Sequence, residues 1–245
     1  MSRLMNWLVM DTSTDVVSLA VAHGAQVYNQ TLPGAAQSSA LLIPGCLQLL
    51  AQAGLRLQDL DGFVFGRGPG SFTGLRTACA VTQGFAFAVD KPVLPVDTLL
   101  AVAEQTRLDL QGALGTSPLS VLALLDARMN EMYMALYHWS PERGWQTVRP
   151  LQVGGQVPHD WRQDLPEDVV VAGNAAWVYP QRMPEGLRCH EAMPTANAML
   201  SLTPALWGAG LAVPAEQAMP LYIRDKVAQT TAEREAAKAA LGSGV

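Results

Sequence analysis

Short runs of β-branched and aromatic residues, separated by brief polar turns, open the chain. Residues 4–10 (LMNWLVM) form one hydrophobic run, stopped by the polar DTSTD at 11–15. Residues 16–22 (VVSLAVA) follow, then a turn at His23-Gly24-Ala25 and a further run at 26–32 (QVYNQTL). This spacing predicts an antiparallel meander of three strands. The period then lengthens. Leu41, Leu42, Cys46, Leu49, Leu50 and Ala53 recur at three- and four-residue steps and predict a helix over 38–53. Ser38 or Ser39 suits its start and Gly54 its stop, while Pro44 inside the pattern predicts a kink and not a break. A strand at 62–66, a helix over 72–89, a strand near 92–96 and a helix from Asp97 or Thr98 give the order βββαβαβα.

The second half repeats this layout. LSVLALL (119–125) reads as a buried strand ending at Asp126; after the ARMN turn come alternating runs at 131–139 and 144–153. A strand at 169–173, a short one at 188–190 and a helix over 195–211 complete it. Asp11 and Asp126 take the same place in both halves, at the end of the first meander strand. A dinucleotide-binding domain opens βαβ with its glycines after strand one, so that fold does not fit. The pattern predicts the duplicated actin-like ATPase and sugar-kinase (RNase H-like) α/β fold. The expected division is an N-terminal lobe at 1–108, a C-terminal lobe at 109–225 and a mobile, Ala-rich tail at 226–245.

Composition narrows the function classes. The 245 residues are 49% hydrophobic, enough for a packed core, and the formal net charge is −5. A chain of that charge, with its arginines scattered singly, is a poor candidate for gripping a phosphate backbone. Cys46, Cys79 and Cys189 are too few and too dispersed for a disulfide framework or a zinc site, and His23, His138, His159 and His190 are isolated. The N-terminal apolar run is too short for a signal peptide or a membrane span, so a cytoplasmic protein without membrane contact is expected.

The stretch GRGPGSFTGLRTACAVTQG (66–84) carries the densest signal. A phosphate-binding P-loop needs G-x-x-x-x-G-K-[ST]; no lysine follows these glycines, and G-x-G-x-x-G fails because Gly74 comes one residue late. What is left is a glycine turn (Gly66, Gly68, Gly70) stiffened by Pro69, with Ser71 placed to cap the next helix. Backbone N–H groups at that start attract anions weakly. Gly74, Thr77, Ala78, Val81, Gly84 and Ala88 then form a stripe of small side chains, the composition that lets another helix approach closely.

GRGPGSFTGLR, together with DTST (11–14), PVDTL (95–99), LDARMNEMY (125–133) and LYIRDKV (221–227), resembles the bacterial TsaB (YeaZ-type) family over nearly the whole chain. The resemblance implies a part in making threonylcarbamoyladenosine (t6A) in tRNA, as a non-catalytic relative of the transferase TsaD. It implies a scaffold subunit that pairs with TsaD and helps recruit the ATPase TsaE. It further implies a functional link to TsaC, which makes the adenylate, and only indirect contact with tRNA. The family interface uses the first two helices of the N-terminal lobe, through which isolated subunits also self-pair as a homodimer. Carried onto this chain, that face is 38–53 and 72–88, with Leu42, Cys46, Leu49, Leu50, Gly74, Thr77, Ala78, Val81 and Gly84 as interface residues.

The catalytic relative holds a metal through two histidines four apart on its first long helix; the matching AAQSSALLIP here has none, so no metal and no catalytic residue are expected. Active kinases of the fold place glycines after both strand-end aspartates, whereas here Thr12-Ser13-Thr14 and Ala127-Arg128-Met129 follow. Asp11, Thr12, Ser13, Gly68, Gly70, Ser71, Asp126 and Arg128 are expected as vestigial nucleotide or anion contacts, with no required cofactor and weak ATP or ADP binding left open. The alternative is a degenerate stand-alone ATP-binding, kinase-like enzyme. A nuclease of the same strand order would need several carboxylates around two metal ions, and the first strand region supplies only Asp11 and Asp15.

Overall fold

The computed structural model describes residues 4–34, 37–163, 165–183 and 186–223. The expected mobile tail at 226–245 lies outside them. The first half contains β1 (Trp7–Asp11), β2 (Val16–His23), β3 (Gln26–Pro33), α1 (Ser38–Gln52), β4 (Gly62–Gly68), α2 (Phe72–Val89), β5 (Val93–Asp97) and α3 (Thr98–Leu114). The second half contains β6 (Leu119–Arg128), β7 (Glu131–Ser140), β8 (Gly144–Gly154), α4 (His159–Gln163), β9 (Val170–Ala172), α5 (Ala175–Val178), β10 (Arg188–His190) and α6 (Ala196–Gly208). The sheets have orders β3-β2-β1-β4-β5 and β8-β7-β6-β9-β10, the same topology twice. Each is an antiparallel meander extended by two parallel strands. The duplicated fold read from the sequence is the fold observed, with the helices of the second half cut down to single turns at α4 and α5.

Strand alternation divides the core. On β1, Leu8 and Met10 face the layer of α1 and α2, while Trp7 and Val9 face α6 and α3. The second sheet buries Val121, Ala123 and Leu125 against α3 and sends Leu122 and Leu124 to Trp161 of α4 and Ala175 of α5. Helix α3 therefore spans the 108–109 division and packs on both sheets. Helix α6, late in the chain, covers β1, β2 and β4 of the first sheet. Glu104 of α3 fastens these layers: it accepts hydrogen bonds from Arg107 (2.7 and 2.8 Å), Trp145 Nε1 of β8 (2.7 Å) and Ser201 Oγ of α6 (2.5 Å).

Helix ends agree with the sequence signals in part. Gly54 adopts φ +68° just past α1, the Leu55 amide donates to the Leu50 carbonyl and the Gly54 amide to Ala51. That is the double bond of a glycine-terminated helix. Neither serine caps the start, however: Gln37 is the N-cap, and Ser38 already lies inside the helix with its hydroxyl buried and without a partner among the described residues. The helix runs on through Pro44, which lies with Ala40 on its exposed side, and the Ala40 carbonyl loses its usual amide donor there.

Candidate functional site

The glycine turn between β4 and α2 wraps a segment of its own chain. Residues 11–13, leaving β1, run beside it. The Thr12 hydroxyl donates to the Gly74 carbonyl oxygen (2.6 Å) and the Ser71 amide to the Ser13 carbonyl oxygen (2.7 Å). A Cβ on Gly74 would collide with the Thr12 carbonyl oxygen, one on Gly70 with the Ser13 backbone, and one on Gly66 with the Asp11 carboxylate. Absence of side chains at these three positions is what lets the 11–13 turn seat there. Ser71 Oγ accepts from the Gly74 amide (3.4 Å), the helix cap expected of it.

Above the turn a cleft of about 520 Å³ opens between the halves. Ser13, Gly70, Ser71, Asp126 and Arg128 line it, together with Phe72, Tyr133, Asn174 and Tyr222. Asp11, Thr12 and Gly68 do not. Asp11 is fully buried: Oδ1 accepts from the Ser13 hydroxyl (2.8 Å) and amide (3.1 Å), and Oδ2 packs against Gly66 and the Met199 methyl without a hydrogen-bond partner among the described residues. Burial pushes its carboxyl up to about 6, partly opposed by the two Ser13 bonds. Asp11 and Thr12, expected as vestigial nucleotide or anion contacts, therefore sit outside the cleft lining, the first turned to Ser13 and the second bonded to Gly74.

Asp126 does border the cleft, but its own half engages it. Tyr179 Oη donates to Oδ1 (2.7 Å), the Arg128 amide donates to the same oxygen (2.8 Å), and Arg128 Nη1 lies 3.4 Å from Oδ2. Arg128, Met129 and Asn130 all have left-handed φ (62°, 54° and 61°), although none is glycine. From that turn Arg128 Nη2 also reaches Asp15 Oδ2 across the cleft mouth at 3.4 Å. Both partners are about three-quarters exposed, so this pair contributes little to stability.

The expected partner face needs a correction of residue. Leu42, Cys46, Leu49, Leu50, Gly74 and Ala78 are all buried within the protein's own core. Burial pushes the Cys46 thiol up to about 12. These residues form the inner sides of α1 and α2, against the first sheet, because the sheet's Leu8, Leu19 and Phe63 need an apolar cover. Thr77 and Val81 are half-buried, and Gly84 alone of the nine is open, with nothing near its Cα on the outer side. The outer surface of this layer instead presents Ile43 and Leu47 of α1 and Arg76, Ala80, Gly84 and Phe87 of α2. In the sequence Ile43 and Leu47 form a second apolar stripe one position out of phase with the first, and only the packing shows which of the two faces outward. Nothing in the sequence marks Tyr222 as a cleft residue or Tyr179 as the partner of Asp126.

Two sheets of identical order around a shared helix layer, with an acid at the end of each first strand, define the duplicated actin-like, RNase H-like class. Residues 28–148 match the family model described as TsaD, tRNA N6-adenosine threonylcarbamoyltransferase. The chain is 30% identical over 235 residues to the tRNA threonylcarbamoyladenosine biosynthesis protein TsaB of Escherichia coli K12, covering 91% of this chain and 96% of that protein. It is 31% identical to the TsaB protein of Haemophilus influenzae, covering 90% and 94%. The solved structure of YeaZ from Pseudomonas aeruginosa superposes with a TM-score of 0.78 at 35% identity, covering 89% of this chain and 99% of that one. The chain belongs to the TsaB (YeaZ) family.

Proposed function

We propose that this protein serves tRNA t6A biosynthesis as a non-catalytic subunit that docks a TsaD-type transferase on the outer face of α1 and α2. Family membership supports the pathway. The observation that carries the docking role is the composition of that outer face. Phe87 is 62% exposed, Leu47 47% and Ile43 42%, and beside them lie Ala80 and Gly84, whose small size admits the backbone of another helix. Exposed apolar side chains gathered on one helix layer mark a partner surface. The state of the two acids supports the lack of bond chemistry: Asp11 is sealed off, and Asp126 is engaged by Tyr179 and Arg128. TsaE joins this pair, TsaC supplies its substrate, and tRNA is contacted through the partner. The same face pairs two copies of the chain when the partner is absent.

Co-expression with TsaD tests this. The two should co-purify, and mixing should restore tRNA modification to an extract lacking this chain. A chain that never retains TsaD would refute the docking role. The cleft keeps the kinase-like alternative testable. Calorimetry with Mg-ATP on the isolated chain should give at most weak binding without hydrolysis, and micromolar binding with turnover would favour the enzyme reading.

A further inference from the structure

The cleft and the outer face of α2 share one group of side chains. Phe72 and Tyr222 line the cleft, with ring centroids 5.2 Å apart. Arg76, one turn along α2 from Phe72, sits with its guanidinium 3.8 Å from the Phe72 centroid and 5.8 Å from that of Tyr222. Its Nε donates to the Tyr222 hydroxyl at 2.9 Å. Arg76 also stands on the exposed stripe with Ala80, Gly84 and Phe87, at helical spacing.

Tyr222 belongs to a strap, residues 215–223, that returns from the second half to lie along α2. Its first part is well fastened: Gln83 Nε2 donates to the carbonyls of Ala215 (3.2 Å) and Ala218 (3.0 Å), and Cys79 Sγ to Ala218 (3.2 Å). Beyond Ala218 the hold is lighter. The Leu221 amide donates to the Arg67 carbonyl (2.7 Å), Arg76 holds Tyr222, and Met219, just past Ala218, is 63% exposed. Leu221, Tyr222 and Ile223 form one wall of the cleft.

We propose that residues 219–223 are a lid on the interlobe cleft, latched by Arg76, and that docking on α2 releases the latch. A partner carboxylate that meets the Arg76 guanidinium forms a two-pronged, charge-assisted pair, stronger than the single bond from Nε to a neutral phenol. Arg76 then leaves the two rings, Tyr222 loses its hydrogen bond, and the cleft widens. The coupling rests on the docking reading above; the lid does not.

Amide hydrogen exchange at Leu221, read by NMR on the full chain, tests both parts. Arg76→Ala and Tyr222→Phe should each speed exchange at Leu221 about tenfold, the scale of a lost cation–π contact or charge-assisted bond. Amides of β1 should stay unchanged in Tyr222→Phe, which keeps the ring and the fold. Wild-type exchange at Leu221 in both variants overturns the lid. In the complex with a TsaD-type partner, the wild-type Leu221 amide should exchange faster than in the free chain. Equal rates there overturn the coupling while docking stands. If no complex forms, the docking reading fails and takes the coupling with it, and the lid is decided by the two variants alone.

Discussion

The hydroxyl of Thr12 donates to the carbonyl oxygen of Gly74, 62 residues away, over 2.6 Å in a buried site. The same glycine has no room for a Cβ, because the Thr12 carbonyl oxygen occupies that space. Gly74→Ala should therefore force the turn at 11–13 away from α2 and cost about 1–3 kcal/mol, the usual penalty of overpacking. Gly84→Ala on the open side of the same helix should instead stabilise by up to about 1 kcal/mol through helix propensity. Urea unfolding midpoints of the two variants check this pair of opposite signs.

Asp11 ties stability to pH. Its folded carboxyl is raised to about 6 from 3.8, so the native state binds more protons than the unfolded state between these values. The sign follows: stability from this group is greatest in acid, falls as pH rises through about 6, and is at its lowest above that. Between pH 7 and pH 5 the wild type should gain about 1 kcal/mol relative to Asp11→Asn, which cannot titrate. Parallel unfolding curves for the two proteins at both pH values measure the gap. A gap that does not change with pH would mean the buried acid is not titrating in this range.

Glu104 is only 2% exposed and, besides its ion pair with Arg107, bonds two other elements, β8 through Trp145 and α6 through Ser201. Glu104→Ala strands a half-buried guanidinium, an indole N–H and a serine hydroxyl, and should cost about 2–4 kcal/mol. Glu104→Gln keeps the shape and most acceptor contacts, so its loss should be clearly smaller. Denaturant unfolding gives both values.

On the docking face, Ala80→Arg and Gly84→Arg place a long charged side chain on an exposed helix surface. Stability should change by no more than about 0.5 kcal/mol, apart from helix propensity, while retention of TsaD is lost. Retained pairing in both would move the partner to another surface. Ala78, by contrast, is fully buried, so Ala78→Arg would unfold the domain and report nothing about docking.

Much of this was legible along the chain. Alternation in residues 16–22 and 26–32 located β2 and β3, the repeat of that alternation after residue 119 exposed the duplication, and Gly54 and Ser71 marked helix ends where the structure has them. The inner and outer sides of α1 were not legible. Leu42, Cys46, Leu49 and Leu50 form one apolar stripe and Ile43 with Leu47 another, and periodicity alone does not say which meets the sheet. Nor were the surroundings of the two acids. Asp11 and Asp126 hold equivalent positions, yet one is sealed beneath Gly66 and Met199 and the other held by Tyr179, partners 53 or more residues distant.

By itself, the sequence determined the elements, their twofold repeat and the failure of both glycine phosphate motifs, because period, turn chemistry and motif spacing are local properties. Only the tertiary structure decided that Gly66, Gly70 and Gly74 make room for residues 11–13, that α6 covers the first sheet, and that residues 221–223 at the end of the strap border the cleft. Each of these depends on two distant segments sharing one space, and it is close packing, not local propensity, that settles which atoms are left facing solvent.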